Sequence, residues 1–319
     1  FGNFTWNCPS QTANVSANEN LDIVNGTLKI ISTGTGSFIL GNGTNITDVN
    51  GNLEISGGTL NMNNKSGGGA KNLTINLAGS FTMTGGTLTK TATDAGGYGV
   101  IVFDGASNQV LTKSSGTISN AINFTVNSGA ILEFATATTV LDGSSGTFTA
   151  ASGSTMIIKH AGGIASTGAT GCVLTTGTRS FSTGANYTYS GSTAQVTGTG
   201  LTGANNLVFA NTAGTTLSAA VATITTSCTI QTGCSLATSN YNMAFQGNFI
   251  NNGTFTAGSS GITIGAGTAT QSIAGFTTTG TVSMTKSGGT ATFTGNVSGG
   301  ALTINPNNAV GFSQSLFWD

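Results

Sequence analysis

Charged residues are scarce in this chain, and their scarcity excludes two kinds of partner. They make up 5% of the 319 residues, whereas soluble domains carry roughly 25%. The eight Lys and Arg residues are scattered and the formal net charge is -1, so the electrostatic attraction that drives nucleic-acid binding is missing. No apolar run reaches the roughly 18 residues that a membrane-spanning helix needs. We therefore expect neither nucleic-acid binding nor membrane insertion.

Proline and helix-forming residues are scarce as well, and this excludes other classes of protein. The chain has 2 prolines and 50 glycines, so it lacks the proline content of collagen or of a proline-rich linker. Intrinsic disorder requires low hydrophobicity together with high net charge, but 37% of this chain is hydrophobic. Glu, Lys, Arg and Gln are few, so no segment has the composition of an amphipathic helix. The sequence predicts a folded, all-β chain.

A degenerate repeat is present along the chain. It consists of an apolar-x-apolar segment, a short corner, a glycine, a small residue and a second apolar-x-apolar segment. Its copies lie at residues 21–30, 53–62 and 81–90 and, more loosely, from Phe124, Phe148 and Phe249 onward. Each copy predicts two short strands joined by a glycine corner. In the first copy, the alternation predicts that Leu21 and Ile23 point inward and Asp22 outward.

Stacked coil on coil, such units form a right-handed parallel β-helix, which is a β-solenoid with apolar ladders inside and Thr, Ser and Asn rows outside. The spacing of the copies predicts about a dozen coils of roughly 20 to 30 residues. We expect a single elongated domain over residues 1–319, because no proline-marked linker divides the chain. Tandem β-sandwiches are the competing architecture, since their strands also alternate.

Both ends of the chain are rich in aromatic residues, over residues 1–8 and 312–319. One interpretation is that these rings plug the open ends of the coil stack. The other is that they dock one copy onto the next, because exposed ends of a solenoid associate unless they are capped. The candidate docking residues are Phe1, Phe4, Trp6, Phe312, Phe317 and Trp318.

Three segments carry a family resemblance: YTYSGSTAQVTGTGL at 187–201, NNLVFANTAGTTL at 205–217 and NFINNGTFTAG at 248–258. They resemble the repetitive β-solenoid regions of giant secreted proteins of Bacteroidota, which the type IX secretion system exports and many of which are surface adhesins. The resemblance covers residues 185–305 well and the remainder loosely. It implies an extracellular or cell-surface location and a repeated fold, and it transfers no catalytic residue. The chain lacks the sorting domain that ends such proteins, so a processed or excerpted segment is expected.

Carboxylate pairs are the main enzymatic alternative, because glycoside hydrolysis uses two carboxyl groups at a defined separation. Asp22 and Glu54 occupy the same slot of the repeat, so neighbouring coils would place them about 5 Å apart. The candidate region is the first half of the chain, which contains Asp22, Glu54, Asp94 and Asp104. Residues 143–318 contain no carboxylate side chain, so the second half of the chain cannot supply an acid–base pair. We predict that the chain is not an enzyme, with a carbohydrate-binding or polysaccharide-degrading β-helix as the alternative.

Histidine and cysteine offer little catalytic or metal chemistry. His160 is the only histidine, and we expect it at the surface. The cysteines are Cys8, Cys172, Cys228 and Cys234, with no Cys-x-x-Cys pair, so we expect no metal or other cofactor. Cys228 and Cys234 flank one glycine corner. Either they form a local disulfide or the cysteines are buried free thiols of the ladder.

Threonine and tyrosine provide two further alternatives. Thr-x-Thr runs at 87–93 and 290–294 resemble the outward threonine rows of β-helical ice-binding proteins, although here they are irregularly spaced. Tyr187, Tyr189 and Tyr241 are candidates for stacking on sugars, or else they fill loops.

The sequence favours a non-catalytic extracellular element, structural or adhesive, that acts as a cell-surface stalk or a self-associating fibre subunit. The expected partners are further copies of the chain, head to tail or side by side, and surface glycans. Uncharged strand ladders have little like-charge repulsion to prevent growth at exposed edges. The two alternatives are a carbohydrate-active or carbohydrate-binding β-helix and an ice-binding β-helix.

Overall fold

A computed structural model describes residues 1–67, 69, 71–93, 97–265, 267–268 and 270–304, together with the backbone of 316–318. Over this part of the chain there is no helix, and parallel strands stack as a β-solenoid of about 13 turns. The predicted all-β parallel solenoid is therefore confirmed. Within the same residues, no helix is long and apolar enough to cross a membrane. The chain divides into unit 1, Phe1–Met156 with Ser166–Ser180, and unit 2, Ile157–Ala165 with Phe181–Asp319.

Short strands, numbered in chain order, make up the regular structure of the described residues. The first nineteen are β1 (Phe4–Asn7), β2 (Val15–Ser16), β3 (Ile23–Val24), β4 (Leu28–Ser32), β5 (Phe38–Gly41), β6 (Asn45–Val49), β7 (Leu53–Ile55), β8 (Thr59–Asn63), β9 (Leu73–Leu77), β10 (Phe81–Met83), β11 (Thr87–Thr89), β12 (Gly99–Phe103), β13 (Asn108–Lys113), β14 (Thr117–Ile118), β15 (Ile122–Val126), β16 (Ile131–Phe134), β17 (Leu141–Gly143), β18 (Phe148–Ala150) and β19 (Thr155–Ile158). The others are β20 (Val173–Thr175), β21 (Arg179–Phe181), β22 (Asn186–Tyr189), β23 (Gln195–Val196), β24 (Gly203–Phe209), β25 (Thr215–Thr216), β26 (Val221–Ile230), β27 (Ser235–Ala237), β28 (Met243–Phe245), β29 (Asn248–Asn251), β30 (Thr254–Thr256), β31 (Ile262–Gly265), β32 (Gln271–Ile273), β33 (Phe276–Thr277), β34 (Thr281–Thr285), β35 (Ala291–Phe293), β36 (Val297–Gly299), β37 (Ala301–Ile304) and β38 (Leu316–Trp318).

Each of the first five turns of unit 1 contributes one strand to each of three faces. Face 1 contains β1, β4, β7, β10, β13 and β16, face 2 contains β2, β5, β8, β11 and β14, and face 3 contains β3, β6, β9, β12, β15 and β18. The inward positions of face 1 form a ladder of Phe4, Leu28, Leu53, Phe81, Leu111 and Phe134. These positions are 24, 25, 28, 30 and 23 residues apart, so the predicted coil length is confirmed for this unit.

The first copy of the repeat stacks out of phase with the second. Leu53 lies over Leu28 and not over the start of the first copy. Ile23 and Val24 form β3 on face 3, where Ile23 is 48% exposed and Val24 is 0% exposed. The prediction that Ile23 points inward is therefore wrong. On this face the inward position is Val24, which pairs with Val49 of the next turn.

A column of glycines forms the corner between faces 3 and 1 of unit 1. Gly51 donates its N–H to the Gly26 carbonyl over 3.1 Å, and Gly79 donates to the Gly51 carbonyl over 3.0 Å. A side chain at Gly51 or Gly79 would overlap the backbone of the glycine one turn earlier. None of the three has a positive φ. The neighbouring turn, rather than the local backbone conformation, therefore requires glycine here.

A buried glutamine holds the same corner in the next turn of unit 1. Gln109, which is 1% exposed, donates from Nε2 to the carbonyls of Leu77 over 2.6 Å and Gly79 over 2.7 Å. Its Oε1 accepts the N–H of Gly105 over 2.9 Å. One side chain thus satisfies backbone groups of two successive turns, as buried polar groups require.

Unit 2 also stacks its strands in parallel. Its face 1 contains β22, β24, β26, β29, β32 and β35, its face 2 contains β23, β25, β27 and β30, and its face 3 contains β28, β31, β34 and β37. The inward ladder of face 1 consists of Tyr187, Leu207, Cys228, Phe249, Ile273 and Phe293. Its members are 20, 21, 21, 24 and 20 residues apart, so these turns are shorter than most of those in unit 1.

The corner glutamine recurs twice in unit 2. Gln195 and Gln271 each donate from Nε2 to two carbonyls over 2.9 Å. The acceptors are Ile158 and His160 for Gln195, and Phe245 and Gly247 for Gln271. Lys286, which is 3% exposed, donates to Oε1 of Gln271 over 2.9 Å. Burial lowers the pKa of this amine below its usual value, because desolvation disfavours the charged form.

Candidate interaction surfaces

The predicted carboxylate pair does not form in the structure. Glu54 lies on face 1 of unit 1, directly over Lys29, and their Oε2 and Nζ atoms are 2.9 Å apart. Asp22 precedes β3 on face 3 and is exposed. The prediction that Asp22 and Glu54 share a slot is wrong, because the first repeat copy is out of phase and Lys29 takes that slot. Such a solvent-exposed ion pair contributes roughly 0–1 kcal/mol.

The other two predicted carboxylates do not complete a site either. Asp94 lies outside the described residues. Asp104 follows β12, and partial desolvation of its carboxyl, together with the negative charge of Asp48, raises its pKa above the usual value. Asp48 in turn accepts a hydrogen bond from Asn76 Nδ2 over 2.9 Å. In the part of the chain that the structure describes, no group of three or more His, Cys, Asp and Glu side chains could hold a metal ion.

The fold itself uses the histidine and two of the tyrosines that the sequence singled out. His160 is half-buried, and its Nδ1 accepts the N–H of Gly162 over 3.0 Å. Tyr187 and Tyr189 are 1% and 0% exposed, and their hydroxyls donate to backbone carbonyls over 2.8 and 2.9 Å. The hypothesis that these two rings stack on sugars is therefore wrong. Tyr241, at 41% exposed, retains an accessible ring.

All four cysteines are free thiols in the structure. Cys228 occupies a rung of the inward ladder of unit 2 between Leu207 and Phe249. Burial raises the pKa of the Cys172 and Cys228 thiols well above the usual value. The disulfide between Cys228 and Cys234 remains a prediction, and the observed arrangement is that of buried free thiols.

We expect a thiol reagent to label Cys8 in the folded protein and to leave Cys172 and Cys228 unlabelled. The thiolate is the reactive species, and only Cys8 among these three is not fully buried. Peptide mass spectrometry after brief exposure to iodoacetamide, with and without denaturant, measures this difference. Equal labelling of Cys8 and Cys228 in the folded state would contradict the burial, and the loss of two hydrogens from the unreduced peptide would reveal the Cys228–Cys234 bridge.

The aromatic residues at the start of the chain form a cluster in the first turns of unit 1. The Trp6 ring stacks on Phe38 with centroids 4.6 Å apart, and Phe4 lies 5.3 Å from the same ring. Phe1 meets Phe4 edge-on and is 66% exposed. The four rings line an apolar groove of about 230 Å³. Outside the described side chains lie the other predicted docking residues, Phe312, Phe317 and Trp318. Docking through these rings remains a prediction.

The first threonine run is not a continuous exposed row. Thr89 is 6% exposed, and its Oγ1 accepts hydrogen bonds from Ser119 Oγ over 3.0 Å and Asn120 Nδ2 over 3.1 Å. In the second run, Thr292 of β35 is half-buried between two exposed threonines. Ice binding remains a prediction that a thermal-hysteresis measurement would test.

Face 1 of unit 2 is an uncharged surface. Between Phe181 and Ile304 the only charged residue is Lys286, and its side chain is buried. The outward positions of this face form two columns. The asparagine column consists of Asn186, Asn206, Ser227, Asn248 and Ser272, and the threonine column of Thr188, Val208, Thr229 and Ile250. No charge interrupts either column.

Side chains of the asparagine column hydrogen-bond to the neighbouring turn. Asn186 Oδ1 accepts from Asn206 Nδ2 over 2.9 Å, and Asn206 Oδ1 accepts from Ser227 Oγ over 2.8 Å. Asn248 Oδ1 accepts the backbone N–H of Ser272 over 2.8 Å. The column therefore satisfies much of its own hydrogen-bonding capacity. Sequence reasoning missed it, because the turns differ in length and only the register shows which residues align.

The fold and this face define an all-β parallel solenoid with an uncharged, internally hydrogen-bonded ladder surface. No protein-family model matches the chain, and neither a curated protein nor a solved structure does.

Proposed function

We propose that the chain is a non-catalytic structural element of the cell surface that associates with further copies of itself, as part of a stalk or a fibre. The observation that carries the proposal is the uncharged face 1 of unit 2, with its asparagine and threonine columns. The resemblance of residues 185–305 to secreted repeat regions supports the location. The separation of Asp22 from Glu54 supports the absence of glycosidase chemistry.

The absence of charge makes this face suitable for burial against a like face. Burying a charged side chain without a partner is costly, and the columns contain none. Two copies of the face also have no like-charge repulsion to overcome. The described surface of unit 1, in contrast, carries charged side chains such as Lys29 and Glu54 on its own face 1.

The hydrogen bonds within the asparagine column lower the cost of removing it from water. A buried polar group is costly when it loses its partner, but Asn206 keeps partners in both neighbouring turns. Ladders of Asn and rows of β-branched side chains are also the surfaces that pack between β-sheets in stacked assemblies.

The spacing of the columns favours a second copy as the partner. Rungs of a parallel ladder repeat about every 4.8 Å, and another ladder of the same pitch matches this repeat along the whole face. We expect a weak pairwise contact, because the two columns contain only nine side chains, whereas a standard interface has roughly 20–30 residues on each side. Many such contacts in an array compensate for a weak single one.

The test is the triple variant Thr188→Lys, Thr229→Lys and Ile250→Lys, which adds three charges to the threonine column. We expect the unaltered chain to form oligomers in sedimentation between about 10 μM and 1 mM and filaments or bundles in negative stain. The triple variant is expected to remain monomeric, since its charges repel and would be buried.

The matched control adds three lysines to face 1 of unit 1, as Thr5→Lys, Thr82→Lys and Thr112→Lys. We expect it to associate like the unaltered chain. Dispersed monomers of the unaltered chain at the highest concentration would refute self-association. Filaments that survive in the first triple variant but disappear in Phe1→Ser with Trp6→Ser would instead assign the contact to the chain ends.

A further inference from the structure

Unit 1 contains an open cleft at the corner between faces 2 and 3. The connections at 64–72 and 90–98 are long, whereas those at 119–121 and 144–147 are short. Beside the longer connections the short corners leave a cleft of about 450 Å³. Its lining residues are Lys90, Thr91, Ala92, Asn120, Ala121 and Ser145. This volume is in the range of small-ligand sites, roughly 300–1,000 Å³.

Two buried asparagines of β8 anchor the long connections. Asn63, at 0% exposed, donates to the Lys71 carbonyl over 2.9 Å and accepts the N–H of Lys65 over 2.9 Å. Asn61, at 2% exposed, donates to Thr91 Oγ1 over 2.7 Å and accepts the Thr91 N–H over 3.2 Å. Buried hydrogen bonds therefore hold these connections at one corner. Long loops that are anchored in this way often carry binding sites.

The floor of the cleft has an unusual backbone. Asn120, Ala121 and Ser145 have φ angles of 59°, 47° and 61°, a left-handed conformation that costs non-glycine residues roughly 1–3 kcal/mol each. Asn120 is held there by bonds from its N–H to Ser144 Oγ over 3.0 Å and from its Nδ2 to Thr89 Oγ1 over 3.1 Å. Such conformations persist where the surroundings fix them, and they cluster at binding sites.

Three cations of this chain lie on the same two connections, and one of them, Lys90, lines the cleft. Lys65, Lys71 and Lys90 are three of its eight Lys and Arg residues, and none of them forms an ion pair among the described residues. The Lys90 amine donates to the Ala92 carbonyl over 3.0 Å and lies 5.9 Å from the centroid of the Tyr98 ring. Tyr98 is 37% exposed.

We propose that this corner cleft binds the carboxylate or sulfate groups of an acidic polysaccharide. Lysine amines are donors to such anions, the hydroxyls and amides of Thr91, Asn120 and Ser145 suit sugar hydroxyls, and Tyr98 offers an aromatic ring beside them. A net charge of -1 and three local cations are too little for the phosphate-driven attraction of nucleic acid. The site lies in unit 1, so it does not depend on self-association through unit 2.

The experiment measures binding of the full chain to immobilised polygalacturonate and chondroitin sulfate, with dextran as the neutral polysaccharide. The two acidic polymers distinguish carboxylate from sulfate. We expect binding to at least one of them and none to dextran, with affinity falling as salt screens the charges. Lys90→Gln should weaken binding about tenfold, since a hydrogen bond to a charged group is lost, and Lys65→Gln with Lys71→Gln should act in the same direction.

The matched control is Lys29→Gln, which removes the same charge from face 1 and should bind within about twofold of the unaltered chain. Circular dichroism verifies that each variant is folded, and the Lys65 and Lys71 pair serves if Lys90→Gln is not. The proposal is overturned if the unaltered chain binds neither acidic polymer, if Lys90→Gln and Lys29→Gln behave alike, or if single-stranded DNA binds more tightly than both polysaccharides.

Discussion

We expect Gln109→Ala to lower the free energy of unfolding by about 3 kcal/mol, because each buried polar group left without a partner costs roughly 1–3 kcal/mol. The change removes the acceptor of the Gly105 N–H and the donor to the Gly79 carbonyl. The Leu77 carbonyl keeps one hydrogen-bond partner, because it also accepts the N–H of Asp104 over 3.1 Å. Urea unfolding followed by circular dichroism measures the difference.

The control for this variant is Gln231→Ala. Gln231 is exposed at a corner of unit 2, so its truncation should change stability by less than about 0.5 kcal/mol. If both variants lost the same stability, the loss at Gln109 would reflect the truncation of any glutamine side chain and not the broken hydrogen bonds of the corner. Gln109→Glu adds a second comparison, because a carboxylate retains the acceptor for Gly105 but cannot donate to the two carbonyls.

The second large effect is expected in β3, where Val24→Ser should cost about 3 kcal/mol and Ile23→Ser less than about 1 kcal/mol. The alternation of the first repeat copy predicts the opposite order, with Ile23 inside. Val24 is 0% exposed and Ile23 is 48% exposed. The serine at position 24 would leave a hydroxyl in an apolar ladder and remove two methyl groups.

Thermal unfolding of the two serine variants, under identical conditions, decides the register of this turn. A larger loss for Ile23→Ser than for Val24→Ser would show that residues 21–24 pair one position away from the structure described above. Because a shift by one residue exchanges the two sides of a strand, no intermediate result is expected. Ile46→Ser, on the next strand of the same face and 53% exposed, serves as a further exposed control.

The sequence was sufficient for the class of fold, since short alternating segments and glycine corners predict stacked strands. It was also sufficient for the register of two copies: Phe81 lies over Leu53, and Leu88 lies over Leu60. The prediction for the first copy was wrong because residues 21–30 run from face 3 to face 1, whereas residues 53–62 run from face 1 to face 2. The same apolar pattern describes both corners, and local alternation cannot distinguish them.

The candidate surfaces were less accessible from the sequence. The near absence of charge between residues 181 and 304, where Lys286 is the only charged residue, can be read directly from the sequence. The asparagine column cannot, because it depends on which residues of successive turns align. The corner glutamines do carry a local signal, because a glycine stands four residues before each of Gln109, Gln195 and Gln271. The cleft of unit 1 arises from unequal connection lengths in successive turns, which a single repeat copy does not contain.

The glycine column of Gly26, Gly51 and Gly79 limits how such a chain can change in length. Each glycine is required because the preceding coil leaves no room for a side chain at that position. A deletion whose two ends lie at different points of their coils would therefore place a residue with a side chain at this corner. Removal or tandem duplication of a complete coil leaves every such contact intact. We therefore expect natural length variants to differ by whole multiples of one coil, with genetic breakpoints at equivalent positions of successive coils.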